Sequence, residues 1–172
     1  MATLQFGGEE RFAAHPKRVY ALLTDLDGLG SSIPDLVSAE RVDERTLQCV
    51  VRPGFSFLRG TMKLKIGLDE LAPPDESGQG SATLKIDAAG IGVAMKVVSL
   101  MKLEPDGAGT RLFWSASVPE MKGLVATVSP GLVKAAADQV IRHGWKQMHE
   151  RLGERASEAS GGRKSPGIID AA

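Results

Sequence analysis

His143 and His149 stand six residues apart, a spacing that sets them on different sides of a helix, and neither belongs to a His-Glu-x-x-His pattern. His15 precedes Pro16 in a turn, so all three histidines read as solvated or capping side chains, and no metal site is expected. Cys49 is the only cysteine, which excludes an intrachain disulfide framework and a cysteine-cluster metal site. It alternates with Leu47 and Val51, the setting of a buried, inert thiol. No Gly-x-Ser-x-Gly elbow supplies a nucleophile, and Gly90-Ile91-Gly92 lacks both the P-loop lysine and the Rossmann spacing, so it reads as a hairpin turn. No cofactor is assigned.

Glu10 is the acidic residue whose position could matter most. Simple alternation puts it on the same side as Leu4, Phe6 and Phe12, where a carboxylate facing an apolar pocket would have a raised pKa and serve as an acid or a polar ligand anchor. A bulge at Gly7-Gly8 would instead turn it out to the rim. The bulge or rim reading is the preferred one.

The elements that must position these groups follow from periodicity. Thr3 to Phe12 alternates as a half-buried strand. Pro16 suits a first helical turn, and Val19, Tyr20, Leu22, Leu23 and Leu26 then recur at helical spacing. Asp27 to Pro34, broken by Gly and Ser, reads as a second short helix or an irregular turn closed by Pro34. From Leu36 to Val118 the period is two, with turn chemistry at Asp43-Glu44-Arg45, Pro53-Gly54, Pro73 to Gly78, Gly90-Ile91-Gly92 and Asp106 to Gly109, which allows six strands. The clearest is Leu58 to Leu68, with Leu58, Met62, Leu64, Ile66 and Leu68 on one face and Arg59, Thr61, Lys63 and Lys65 on the other. One buried and one wet face, with short connections, predict an antiparallel meander.

After Pro119 the period becomes 3.6, and Val133, Ala136, Ala137, Val140, Ile141, Gly144 and Met148 fill one helical arc. Ser129-Pro130 either starts this helix or kinks one begun near Gly123. Residues 1–152 are expected to form the domain and 153–172, which lose periodicity and turn small and polar, a flexible tail. A seven-stranded sheet with one wet face must curl around the last helix to bury the other, the helix-grip architecture, of class α+β with two short helices after the first strand.

Composition agrees with an ordinary globular domain: 42% hydrophobic and 24% charged residues, with 21 Lys plus Arg balanced by 21 Asp plus Glu. With no net charge, no global field draws the protein to nucleic acid or an anionic membrane. Glu9, Glu10 and Arg11 interrupt any signal-peptide core, and Gly123 to Val133 falls far short of the roughly 20 apolar residues that span a bilayer, so a cytoplasmic protein is expected.

Val19-Tyr20-Ala21-Leu22-Leu23-Thr24-Asp25 running on to Ile33-Pro34, then Phe57 to Met62, then Leu103-Glu104-Pro105-Asp106-Gly107-Ala108-Gly109-Thr110-Arg111-Leu112, resemble the carbon monoxide dehydrogenase G-subunit family. That family belongs to the START-like (SRPBCC, Bet v 1-like) helix-grip superfamily, whose members hold apolar molecules between sheet and long helix. The resemblance covers about residues 3 to 152. It departs from the family's pattern at Glu120 to Ala126 and at Pro130, where the family usually continues its helix. It implies assistance to molybdenum-containing carbon monoxide dehydrogenases or related redox enzymes, contact with the inner face of the membrane, and carriage of a quinone or lipid-like molecule.

The residues expected to face the interior are Met62, Leu64, Ile66, Met95, Val97, Met101 and Trp114 from the sheet, and Val140, Ile141 and Met148 from the last helix. Four methionines around one volume suit an adaptable pocket, while the same pattern also describes a packed core. The residues support a non-catalytic carrier or accessory protein for a hydrophobic small molecule. The alternative is a small cyclase-, aromatase- or hydratase-like enzyme, for which Glu10, Ser99 and Tyr20 are the candidate polar groups. A protein-interaction module acting through the exposed helix face is a third reading.

Overall fold

Strand β1 (Leu4–Phe12) is followed by helices α1 (Pro16–Leu23) and α2 (Leu26–Ser31), then by β2 (Leu36–Asp43), β3 (Thr46–Val51), β4 (Met62–Ala72), β5 (Gly80–Gly90), β6 (Val93–Asp106) and β7 (Gly109–Gly123). A 3-10 turn at Leu124–Thr127 leads into helix α3 (Pro130–Arg151). The computed structural model describes residues 4–54 and 60–153, apart from the side chains of residues 124 and 125. The expected tail from residue 154 onward and the segment 55–59 lie outside the described residues.

The strands form one sheet in the order β1-β7-β6-β5-β4-β3-β2, every pair antiparallel. Six of the seven strands are thus a meander, and β1 closes on the last of them. Alternation places Thr110, Leu112, Trp114, Ala116 and Val118 of β7 on the inner face, with Phe113 and Ser115 exposed on the outer one. The helices cover the inner face.

Helix α1 starts as its sequence dictates. Pro16 occupies the first turn, and His15 Nδ1 accepts from the Lys17 N–H at 3.2 Å, so His15 is a cap. Val19, Tyr20 and Leu23 go under, against Phe12, Leu103, Leu112 and Met148. Helix α2 seals a second cluster of Leu26, Leu47, Cys49, Ile66 and Leu68. A third gathers Val51, Met62, Ala88 and Val93 around Val133 of α3.

Four details differ from the sequence-based expectations or decide between them. The described part of β4 begins at Met62, two residues after Gly60 in a left-handed conformation (φ +71°), and runs on to Ala72, while the expected start at Leu58 lies outside the described residues. Strand β7 runs past Pro119 to Gly123, because its ladder with β6 shifts between Lys96 and Val98 so that Val97 faces both Val118 and Pro119. Proline, which cannot donate a ladder hydrogen bond, is tolerated in such a bulge. Pro130 starts α3, with Ser129 as the cap position, so the kinked alternative falls. The register of β1 with β7 is unbroken from Leu4↔Val118 to Phe12↔Thr110, so no bulge at Gly7-Gly8 turns Glu10 outward.

Candidate functional site

Helix α3 spans the concave face of the sheet without closing on it, and a cavity of about 640 Å³ remains between them. Alternate residues of four adjacent strands supply its floor: Met62 and Leu64 from β4, Leu84, Ile86 and Ala88 from β5, Met95, Val97, Ser99 and Met101 from β6, and Trp114, Ala116 and Val118 from β7. Val133, Ala137, Ile141, Gly144 and Met148 of α3 form its roof. Their spacing of three and four residues keeps them on one side of the helix. The exposed lining residues Asp35, Gly54, Gln139 and Val140 mark a mouth between α2, the segment after β3 and one flank of α3.

Nine of the ten residues expected inside line this cavity, with Val140 at the mouth and 40% exposed. Ile66 is the exception. It has the same parity as Met62 and Leu64 but lies further along β4, where α2 covers the sheet, and it packs in the cluster with Leu26 and Cys49. Sequence reasoning also missed Met121, because the bulge at Pro119 reverses the parity of β7 beyond it.

Glu10 faces inward yet does not line the cavity. It lies at the seam between β1 and α3, where one carboxylate oxygen stands 3.4 Å from His149 Nε2. The His149 ring stacks on Phe12, with centroids 4.5 Å apart and planes at 27°, and Phe12 in turn meets Trp145. His149 is buried, which corrects its reading as a solvated or capping histidine; burial against β1 could not be seen from spacing within α3. His143 is half-buried on the cavity wall, near the mouth, and it too is neither exposed nor a cap. Ser32, Asp35, Gln139 and Arg151 are the other polar side chains that sequence reasoning did not place there. Arg151 donates to Ser31 Oγ, tying the end of α3 to α2.

The other polar candidates are dispersed. The Tyr20 hydroxyl donates to the Ser81 carbonyl at 3.1 Å, and burial pushes its pKa above the usual phenol value. Ser99 lines the cavity floor away from both Tyr20 and Glu10, neither of which reaches the lining. Among the described residues no group of three or more His, Cys, Asp or Glu side chains is arranged to hold a metal ion. Cys49 is fully buried, and burial pushes its thiol pKa up. The native protein is therefore expected to resist alkylation by iodoacetamide at mildly alkaline pH and to take up one label on unfolding. Rapid labelling of the folded protein would contradict this placement.

The family model for the G subunit of carbon monoxide dehydrogenase (CoxG) matches residues 8–153. The chain belongs to the CoxG family. In this CoxG chain the matched span takes in the whole sheet from mid-β1 onward and all three α-helices, and so the cavity. No curated protein matches the chain. Among solved structures, a conserved protein from Geobacillus kaustophilus superposes with a TM-score of 0.77 at 19% identity, covering 87% of this chain and 95% of that one. The protein Ara h 8.0201 gives a TM-score of 0.60 at 17% identity, covering 89% and 100%. A START superfamily protein from Mycobacterium smegmatis gives 0.55 at 16% identity, covering 88% and 97%. At these identities the likeness is one of fold, and it establishes the Bet v 1-like, START-like helix-grip architecture for this CoxG chain. Among the described residues no helix is long and apolar enough to cross a membrane.

Proposed function

We propose that this CoxG protein binds a hydrophobic small molecule, quinone or lipid-like, between its sheet and α3, and carries or presents it without chemical change. The observation that carries the reading is the cavity of about 640 Å³ with an aliphatic and methionine-rich wall. A closed, empty void of that size would cost roughly 15 kcal/mol at about 24 cal/mol per Å³, as much as the whole stability of a domain at roughly 5–15 kcal/mol. A space open at a mouth and lined by apolar groups instead gains about 25 cal/mol for each Å² that a guest removes from water. Met62, Met95, Met101, Met121 and Met148 supply flexible, polarizable surface that adapts to the guest.

A cyclase-, aromatase- or hydratase-like reaction needs an acid or hydroxyl on that wall. Tyr20 is committed to Ser81 and Glu10 faces His149, so of the three candidates only Ser99 is on the wall, on the floor, while Asp35 and His143 lie toward the mouth. The family's name supports a partner among redox enzymes of the carbon monoxide dehydrogenase type, and a contact at the inner face of the membrane belongs to the same reading.

Native mass spectrometry of freshly purified protein, followed by fluorescence titration with a naphthoquinone and a labelled fatty acid, tests it. Saturable binding without consumption of the probe is expected. Absence of saturable binding across quinones, fatty acids and polyketide-like aromatics would overturn it, and turnover of a probe would move the protein to the enzymatic reading.

A further inference from the structure

Helix α3 leaves a gap along both of its flanks. One is the mouth described above, and along the other a second space of about 530 Å³ lies between α3 and β1. The helical repeat stacks Lys134, Asp138, Arg142 and Trp145 along this flank, opposite Gln5 and Glu10 of β1. Phe6, Trp114, Ile141 and Trp145 line both this space and the main cavity and so form their common wall. The two indoles stand 5.8 Å apart at 43°. Trp114 fits because its cross-strand partner is Gly8, where a Cβ would come within 3.1 Å of the indole ring.

The chemistry of the two spaces is opposite. The floor of the main cavity is almost wholly apolar, whereas the space beside β1 is bordered by an ammonium, a guanidinium, an amide and two carboxylates. Glu10 is turned to His149. Lys134, Asp138 and Arg142 take no part in the ion pairs formed among the described residues. Lys134 and Arg142 therefore stand beside Asp138 with no ion pair formed, while Glu10 is turned away toward His149. In the shared wall the Nε1–H groups of Trp114 and Trp145 are buried and meet no acceptor among the described residues. Hydrogen-bond donors exceed acceptors here, and a carboxylate, which only accepts, complements them.

We propose that the space between β1 and α3 is a second subsite, which takes the carboxylate head of a chain-bearing amphiphile while its apolar part lies in the main cavity past Trp114 and Trp145. Lys134 and Arg142 hold the carboxylate, and the paired indoles line the passage. The assignment rests on the main cavity being an apolar binding site.

The test compares a pyrene-labelled palmitic acid with the corresponding pyrenyl alcohol on the full chain. The wild-type protein binds the acid more tightly, and raising the salt concentration narrows the difference, since partly exposed charges are screened. Lys134 and Arg142 are exposed, so the double variant Lys134→Ala/Arg142→Ala keeps the fold. It loses about fivefold for the acid, the scale of two partly exposed charge pairs, and less than about twofold for the alcohol. Equal affinity of the wild-type protein for acid and alcohol, or equal loss of both in the double variant, overturns the subsite while leaving the main cavity in place. Failure of both probes to bind overturns the cavity reading and the subsite with it. The salt series on the wild-type protein separates the same outcomes without any variant.

Discussion

Met95→Glu should abolish binding of apolar probes, by about a hundredfold or more, while the protein still melts cooperatively. Met95 lies on β6 toward one end of the cavity floor, below Val133 of α3, and is paired with Ala88 of β5 and Met121 of β7. It is half-buried, so a carboxylate there can keep water through the mouth of the cavity. An apolar guest would strip that water away. Desolvating an ionised carboxylate without a partner costs several kcal/mol, and each 1.4 kcal/mol is tenfold in affinity. Met95→Leu, which nearly conserves volume, should change affinity by less than about threefold. The introduced carboxyl has its pKa raised when a guest desolvates it, because burial disfavours the charged form. Protonation then favours the bound state, so binding to the Met95→Glu variant should recover as the pH is lowered. Fluorescence titration at two pH values, beside a thermal melt of the same samples, reads both effects. Loss of folding in step with loss of binding would show that Met95 belongs to a packed core.

The sheet and its helix are legible in the sequence because alternation and the 3.6 repeat are local, and local periodicity decides which face of each element is apolar. Leu84 and Ile86 opposite Lys85 and Asp87, or Val133, Ala137, Ile141 and Met148 along α3, need no tertiary information. What lies opposite an inward face is not local. Ile66 shares the parity of Met62, yet the sheet curves and α2 closes over that part of β4, so one residue packs under a helix and the other borders the cavity. Glu10 points inward as alternation requires, but whether it meets a guest or a side chain depends on which turn of α3 crosses β1, a contact 139 residues away in sequence. His143 and His149, unlike the capping His15, are misread for the same reason. Their spacing correctly separates their directions, while burial of His149 is set by Phe12 on another element. Pro119 shows the remaining kind of failure. A bulge adds one residue to one strand, and every residue beyond it changes face, so Met121 passes unnoticed and the strand reads as ending five residues early.

The three sides of α3 connect fold to function. Val133, Ala137, Ile141 and Met148 roof the cavity, Gln139, Val140 and His143 border the mouth, and Lys134, Asp138, Arg142 and Trp145 border β1. A helix with one apolar side between two polar flanks cannot rotate without burying polar or charged groups in the cavity, which favours a single orientation. Its two ends fix its position: Arg151 donates to Ser31 on α2, and at the other end Ser129 follows the 3-10 turn that leaves β7 at Gly123.

That connection makes Gly123→Ala the substitution with the largest expected effect on stability. Gly123 pairs with Val93 at the end of the β6–β7 ladder and has φ +81°, a left-handed conformation that costs an L-residue roughly 1–3 kcal/mol. A Cβ there would also fall inside contact distance of the Gly92 carbonyl oxygen, a backbone atom of the β5–β6 turn that no side-chain rotation can move aside. Forcing the two apart adds overpacking strain of about 1–3 kcal/mol. The combined loss of about 3 kcal/mol corresponds to a fall in melting temperature of roughly 10 °C for a chain of this size. Gly107→Ala is the matched control, because Gly107 has φ +62° but nothing within 4 Å of the position its Cβ would take. It should lose only the backbone cost, about 1 kcal/mol, and keep probe affinity unchanged. Gly123→Ala should weaken binding as well, since Met121 and Val133 border the cavity on either side of the displaced turn. Equal melting temperatures for the two variants would mean that the contact between Gly123 and Gly92 does not anchor α3, and the helix would then be held by its packing on the sheet alone.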